Sequence, residues 1–180
     1  YMTGILRSID FESQIPAKFK TAKSYVYDKL KPYFGLSQRE IWEQISGEKL
    51  AVETRVPKNL NKMISDRVIG KDADLGSIDD VFNKVTYAIK NIPVDDKNYP
   101  MERLSFRNLY LSEFEEIWKE SDWKNYFEEI NLIIVLYQGK KDGKKMKNGD
   151  RILKDVISVT FTLDDISLFK QSYLMVQEAI

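Results

Sequence analysis

Apolar and polar positions along the chain follow a helical period over the first third and a strand period over much of the remainder. From Ala17 to Tyr33 the residues Phe19, Tyr25, Val26, Leu30 and Tyr33 recur at helical spacing and Gly35 closes the stretch, which predicts a first helix. Ser37-Gln38-Arg39-Glu40 has the form of a capping box, in which serine and glutamate side chains satisfy each other's free backbone amides, and Ile41, Trp42 and Ile45 follow on one face. The stretch Leu60 to Ile69 repeats the helical pattern and stops at Gly70, a residue suited to a left-handed cap. The period then changes. Val85, Tyr87 and Ile89 alternate with Thr86, Ala88 and Lys90, predicting a strand with one buried face, broken at Pro93. A second strand is predicted across Leu104 to Tyr110, and short helices across Ser112 to Lys119 and Ser121 to Ile130, each opened by a capping serine. NLIIVLY, Asn131 to Tyr137, is apolar almost throughout and predicts a central strand with both faces covered. Residues 138 to 150, QGKKDGKKMKNGD, hold three glycines and five lysines and read as a basic turn region. A strand from Ile152 to Phe161 follows, and Thr162-Leu163-Asp164-Asp165 caps a last helix bearing Ile166, Phe169, Tyr173 and Val176, still in progress at Ile180. This order predicts an α/β fold, a mixed sheet flanked by helices with an N-terminal helical part.

A chain of 180 residues suits one hydrophobic core, and residues 1 to 16, closed by Pro16, read as a linker from an upstream segment. The chain starts at Tyr1, so it is expected to be a fragment of something longer. Lysine plus arginine and aspartate plus glutamate number 28 each, so any surface for a polyanion must come from local clustering. Cysteine and histidine are both absent, which excludes disulfides, thiolate or histidine metal sites and Ser-His-Asp triads. Carboxylate, lysine, tyrosine and hydroxyl chemistry remain. No apolar run approaches the roughly 20 residues that span a bilayer, and the start lacks the layout of a signal peptide, so a cytoplasmic protein is expected.

The candidate chemistry lies in Val81 to Phe106, VFNKVTYAIKNIPVDDKNYPMERLSF. Metal-dependent DNA cleavage uses a strand that presents a carboxylate and, two residues later, a lysine on the same face: the carboxylates hold Mg²⁺ and the lysine orients the attacking water. Lys90 takes the lysine place, but the position two before it is Ala88, which has no oxygen to give a metal.

The run AIKNIPVD, followed by YPMERLSF, resembles the signature of the MutH family of GATC-specific DNA endonucleases, ELKTIPVD, then a short loop, then PLETTF. Leu60 to Gly70 resembles that family's catalytic helix, with Asp66 where a glutamate is usual. WKNYFEEINLIIVLYQGK and VTFTLDDISLFKQSYLMVQEAI resemble its helix-to-strand and strand-to-helix passages, so the resemblance spans most of residues 17 to 180. The opening YMTGILR resembles the junction inside the two-domain Sau-three-A type restriction endonucleases of the same family. The resemblance implies a restriction-endonuclease-like fold over 17–180, truncated at its C-terminus. It also implies the second, effector domain, which binds GATC without cutting, because Ala88 replaces the metal-binding glutamate and Val81 stands where an aspartate is expected, with Asp80 adjacent.

The degenerate site is therefore Asp66, Asp80, Ala88 and Lys90, with Asp66 and Asp80 as the weak candidates for metal and no cofactor expected for this domain. Mg²⁺ is expected for the full-length enzyme, whose upstream catalytic domain would be a partner and which could dimerise on DNA. Candidate DNA contacts are Lys90, Arg103, Arg107, Lys140, Lys141, Lys144, Lys145 and Lys147. Blander readings stand beside these: Lys90 as a solvated strand lysine, Asp66 as a solvated carboxylate or one paired with Lys62 or Arg67, Asp79 and Asp80 as loop caps, the lysine run as a soluble turn, and Trp42, Trp118 and Trp123 as core. The function expectations are a GATC-binding effector domain, an active Mg²⁺-dependent nuclease using Asp66, Asp80 and Lys90, and a protein-interaction domain that keeps the fold.

Overall fold

A computed structural model describes residues 22–53, 55–69, 87–106, 108 and 110–180. The linker at 1–16, Asp79, Asp80, Val81 and Arg107 lie outside the described residues. Three helices come first: α1 Ala22–Leu30, α2 Gln38–Ser46 and α3 Leu60–Ile69. Proline at the second position after Leu30 tightens the end of α1 into a 3₁₀ turn, Lys31–Tyr33. The Ser37–Glu40 box forms as read, with Ser37 Oγ accepting from Glu40 N and the Glu40 carboxylate accepting from Ser37 N at 2.7 Å. Those bonds from Ser37 hold the Glu40 carboxyl below its ordinary pKa.

Among the described residues the main sheet has three strands in the order β1 Tyr87–Val94, β2 Asn131–Gln138, β5 Ile152–Thr160. β1 runs parallel and β5 antiparallel to β2, so the sheet is mixed and the apolar NLIIVLY strand lies at its centre, as its composition requires. A register shift opposite Leu136 and Tyr137 bulges β5 at Lys154 and reverses its facing, which lets both Leu153 and Val156 reach one core. On that face Ile89, Ile133, Val135 and Tyr137 pack with Val26, Leu30, Ile41, Leu60 and Ile64 of the three helices. On the other, Ala88, Ile92, Val94, Leu132 and Ile134 pack with Leu104, Phe106, Tyr126, Val159 and Phe161. A third cluster joins Phe114, Trp118 and Trp123 to Tyr173 of α5, Leu163–Ala179. α4, Asp122–Glu129, bridges the last two clusters through Tyr126. All three tryptophans are buried.

Three expectations are corrected. Pro93 does not break β1, which continues to Val94. The Pro93 carbonyl accepts from Met101 N at 2.9 Å, so this residue's backbone points to the outer edge of the sheet, where the missing N–H takes nothing from the β1–β2 ladder. The strand across Leu104 to Tyr110 is absent from its described residues. Leu104 and Phe106 turn inward on alternate positions, yet they lie across the sheet's second face rather than in a ladder, Phe106 packing edge-on to Tyr126 and Phe127. The helix over Ser112 to Lys119 shrinks to a 3₁₀ turn, Leu111–Phe114. Tyr173 Oη and Gln177 Nε2 donate to the carbonyls of Glu113, Phe114 and Glu116 at 2.7–2.9 Å, taking up acceptors that a longer helix would have used itself.

Candidate nucleic-acid interface

β1 presents Ala88, Lys90, Ile92 and Val94 toward the second apolar cluster by simple alternation, and Lys90 stands on the rung of Ile134. Its ammonium emerges from the cluster's edge and donates to the Ser105 carbonyl at 2.7 Å. Burial against these neighbours lowers the lysine's pKa. Arg103, two residues from that carbonyl, is exposed and makes no hydrogen bond or ion pair among the described residues. The 101–106 segment thus brings Lys90 and Arg103 into one neighbourhood.

The cutting-site residues are not assembled in the same way. Ala88 packs against the second cluster. Asp66 sits on α3, which packs against the opposite face of the sheet, and pairs with Lys62 at 2.7 Å. Its neighbour Ser65 is buried and donates to Asn91 Oδ1 at 2.8 Å, which locks α3 to β1 one residue beyond Lys90. Below this contact lies the fully buried Tyr137, whose hydroxyl burial holds protonated by raising its pKa. Among the described residues no three carboxylates or other ligand side chains are placed to share an ion. At the β1 position two before Lys90, where the expected motif would need an oxygen donor for Mg²⁺, the side chain is the Ala88 methyl, packed against the second apolar cluster.

The basic region 138–150 folds as a hairpin, β3 Lys140–Lys141 against β4 Lys144–Lys145, turned by Asp142 and Gly143 at φ 50° and 76°. Two consecutive positive φ values give the turn type whose twist matches a two-residue hairpin, and Asp-Gly is a preferred pair for it. Lys140 faces Lys145 and Lys141 faces Lys144. Lys141, Lys144, Lys145 and Lys147 are exposed, and none of the five lysines forms an ion pair among the described residues. The hairpin grows from the end of the sheet: Gly139 N donates to Val94 O at 2.8 Å and Met146 N to Gly139 O at 2.8 Å. Lys90 lies four residues back along β1, about 13 Å at the rise of a strand.

Pattern reading overlooked the turn at 95–99 that flanks the hairpin. Asp95 accepts from Lys97 N and Tyr99 N at 2.8 and 2.9 Å, Asn98 adopts φ 67°, and Lys154 at the β5 bulge donates to Asn98 Oδ1. The Tyr99 amide, then that of Lys97 and the charges of Lys140 and Lys97, hold the Asp95 carboxyl below its ordinary pKa. The aspartate–asparagine run marks a turn in sequence, but its meeting with a hairpin more than 40 residues away does not show there. Among the described residues no helix is long and apolar enough to cross a membrane. No protein-family model and no curated protein matches this chain.

Proposed function

We propose that this chain is a duplex-DNA-binding domain of restriction-endonuclease-like kind with a degenerate cutting site. It would be the effector half of a MutH-like type II restriction endonuclease that reads GATC, cutting being left to an upstream, Mg²⁺-dependent domain. The observation that carries this reading is the hairpin of four lysines, followed by Lys147, none in an ion pair among the described residues, placed at the end of the strand that bears Lys90 and Ala88. Each lysine that meets a phosphate releases a condensed counterion, so affinity falls steeply with salt. Arg103, exposed two residues before the carbonyl that Lys90 bonds, is an arginine free to make a bidentate contact to guanine. Lys90 keeps two of its three ammonium protons for a phosphate, since the Ser105 carbonyl takes one.

Gel shifts with GATC and scrambled duplexes at two salt concentrations, with and without Mg²⁺, test the proposal. The expected result is salt-sensitive binding that favours GATC, without cleavage. Cleavage by the chain alone in Mg²⁺ would replace the effector reading with that of a nuclease. Failure to bind either duplex at low salt would favour a protein-interaction domain, a reading to which the exposed Leu163, Leu168 and Met175 of α5 lend some support.

A further inference from the structure

The lysine hairpin breaks an ordinary rule of sheet pairing. Both rungs of its ladder join like charges, Lys140 to Lys145 and Lys141 to Lys144, and directly opposed like charges destabilise a strand pair. A two-rung hairpin has little else to hold it closed. Something outside the ladder must fix it, and two contacts do. At the base, Gly139 is bonded to Val94 O. At the tip, Gly143 N donates to Asp96 Oδ2 at 3.2 Å, from the turn that follows β1. That turn is itself held by Asp95 and by Lys154 on Asn98. The hairpin is consequently pinned at both ends rather than loose.

We infer that Asp96 is a positioning residue for phosphate recognition: its carboxylate holds the Gly143 amide so that the pairs Lys140–Lys145 and Lys141–Lys144, on opposite faces of the ribbon, stand preformed for the backbone of duplex DNA. This rests on the DNA-binding reading above and deepens it. The cost of closing the like-charge ladder is met within the free protein, so a phosphate arriving between the lysines relieves repulsion without first having to order the hairpin. Asp96 is an acid beside a polyanion site, and by charge alone it opposes binding. Positioning and charge therefore predict opposite outcomes for its removal.

The test measures duplex affinity by fluorescence anisotropy for the unsubstituted chain, Asp96→Ala and Asp96→Asn, together with hydrogen exchange at the Gly143 amide in the free proteins. Asp96→Ala is expected to weaken binding about fivefold although it makes the chain more positive, the scale of one lost solvent-exposed hydrogen bond. Asp96→Asn keeps an acceptor oxygen and is expected to stay within about twofold. Gly143 exchange should be faster in Asp96→Ala with the rest of the amides unchanged, which separates loss of the tether from loss of the fold. Equal or tighter binding by Asp96→Ala, or unaltered Gly143 exchange, overturns the inference while leaving DNA binding intact. Absence of duplex binding by the unsubstituted chain overturns the DNA-binding reading and this inference with it.

Discussion

Lys90 combines two opposed demands. Its stem lies along the second apolar cluster while its ammonium must stay solvated or bonded, and the Ser105 carbonyl meets part of that need. Burial lowers its pKa from 10.5, so the native state holds this proton less tightly than the unfolded chain does. Below the folded pKa both states are charged and the native state carries the desolvation penalty. As pH rises from the folded pKa toward 10.5, the native lysine sheds its proton first and stability is regained. Lys90→Met removes this titration. Denaturant unfolding at neutral pH and near pH 10.5 should show the difference between the unsubstituted chain and the variant moving in favour of the unsubstituted chain at the higher pH. The change should stay under about 1 kcal/mol, because solvent screens a half-buried amine. A difference constant across that range would mean that Lys90 is as well solvated in the fold as outside it.

The strands and helices show which sequence signals carry over into elements. Capping boxes at Ser37 and Thr162 were legible because both partners lie within four residues, and NLIIVLY was legible as a central strand because burial of both faces leaves no polar alternation. The 104–106 segment was misread because alternation reports one-sided burial, which a segment lying across a sheet shares with a strand inside it. The helix over 112–119 was misread because the competitors for its carbonyls, Tyr173 and Gln177, are about 60 residues away in sequence. Of the candidate site, Lys90, Ala88 and the hairpin lysines were readable, whereas the 95–99 turn that pins the hairpin depends on contacts that only folding creates. The joint of sheet and hairpin offers a test at this scale. A Cβ on Gly139 would lie 2.8 Å from Pro93 Cβ, on a rigid ring, and 2.8 Å from Met101 Sδ. Methionine can swing aside, but the ring moves only with β1. Gly139→Ala is therefore expected to lose about 1–3 kcal/mol in urea unfolding. A loss below about 0.5 kcal/mol would show that the end of β1 yields easily.

For the molecule as a whole, balanced charge conceals an uneven distribution. Residues 138–150 carry five lysines against two aspartates, a surplus of three positive charges, and since the chain sums to zero the remainder carries three negative ones. On the DNA-binding proposal, this local surplus makes the hairpin the surface expected to lead in the encounter with a duplex. Net charge and location can be separated by experiment. Replacing Lys141, Lys144 and Lys145 with glutamine takes the chain from zero to minus three. Replacing Lys23, Lys49 and Lys58, all exposed and without ion pairs among the described residues, gives the same net charge from α1 and from either side of the 50–57 segment. The hairpin variant should lose duplex binding at about 0.15 M salt and, measured at low salt, show a salt dependence of log K shallower by about 2 to 3. Its thermal stability should hold or rise, since like charges no longer face each other across the ladder. The control variant should keep the slope and lose affinity only slightly. Equal losses in the two variants would show that bulk charge, and not the hairpin, governs association with DNA.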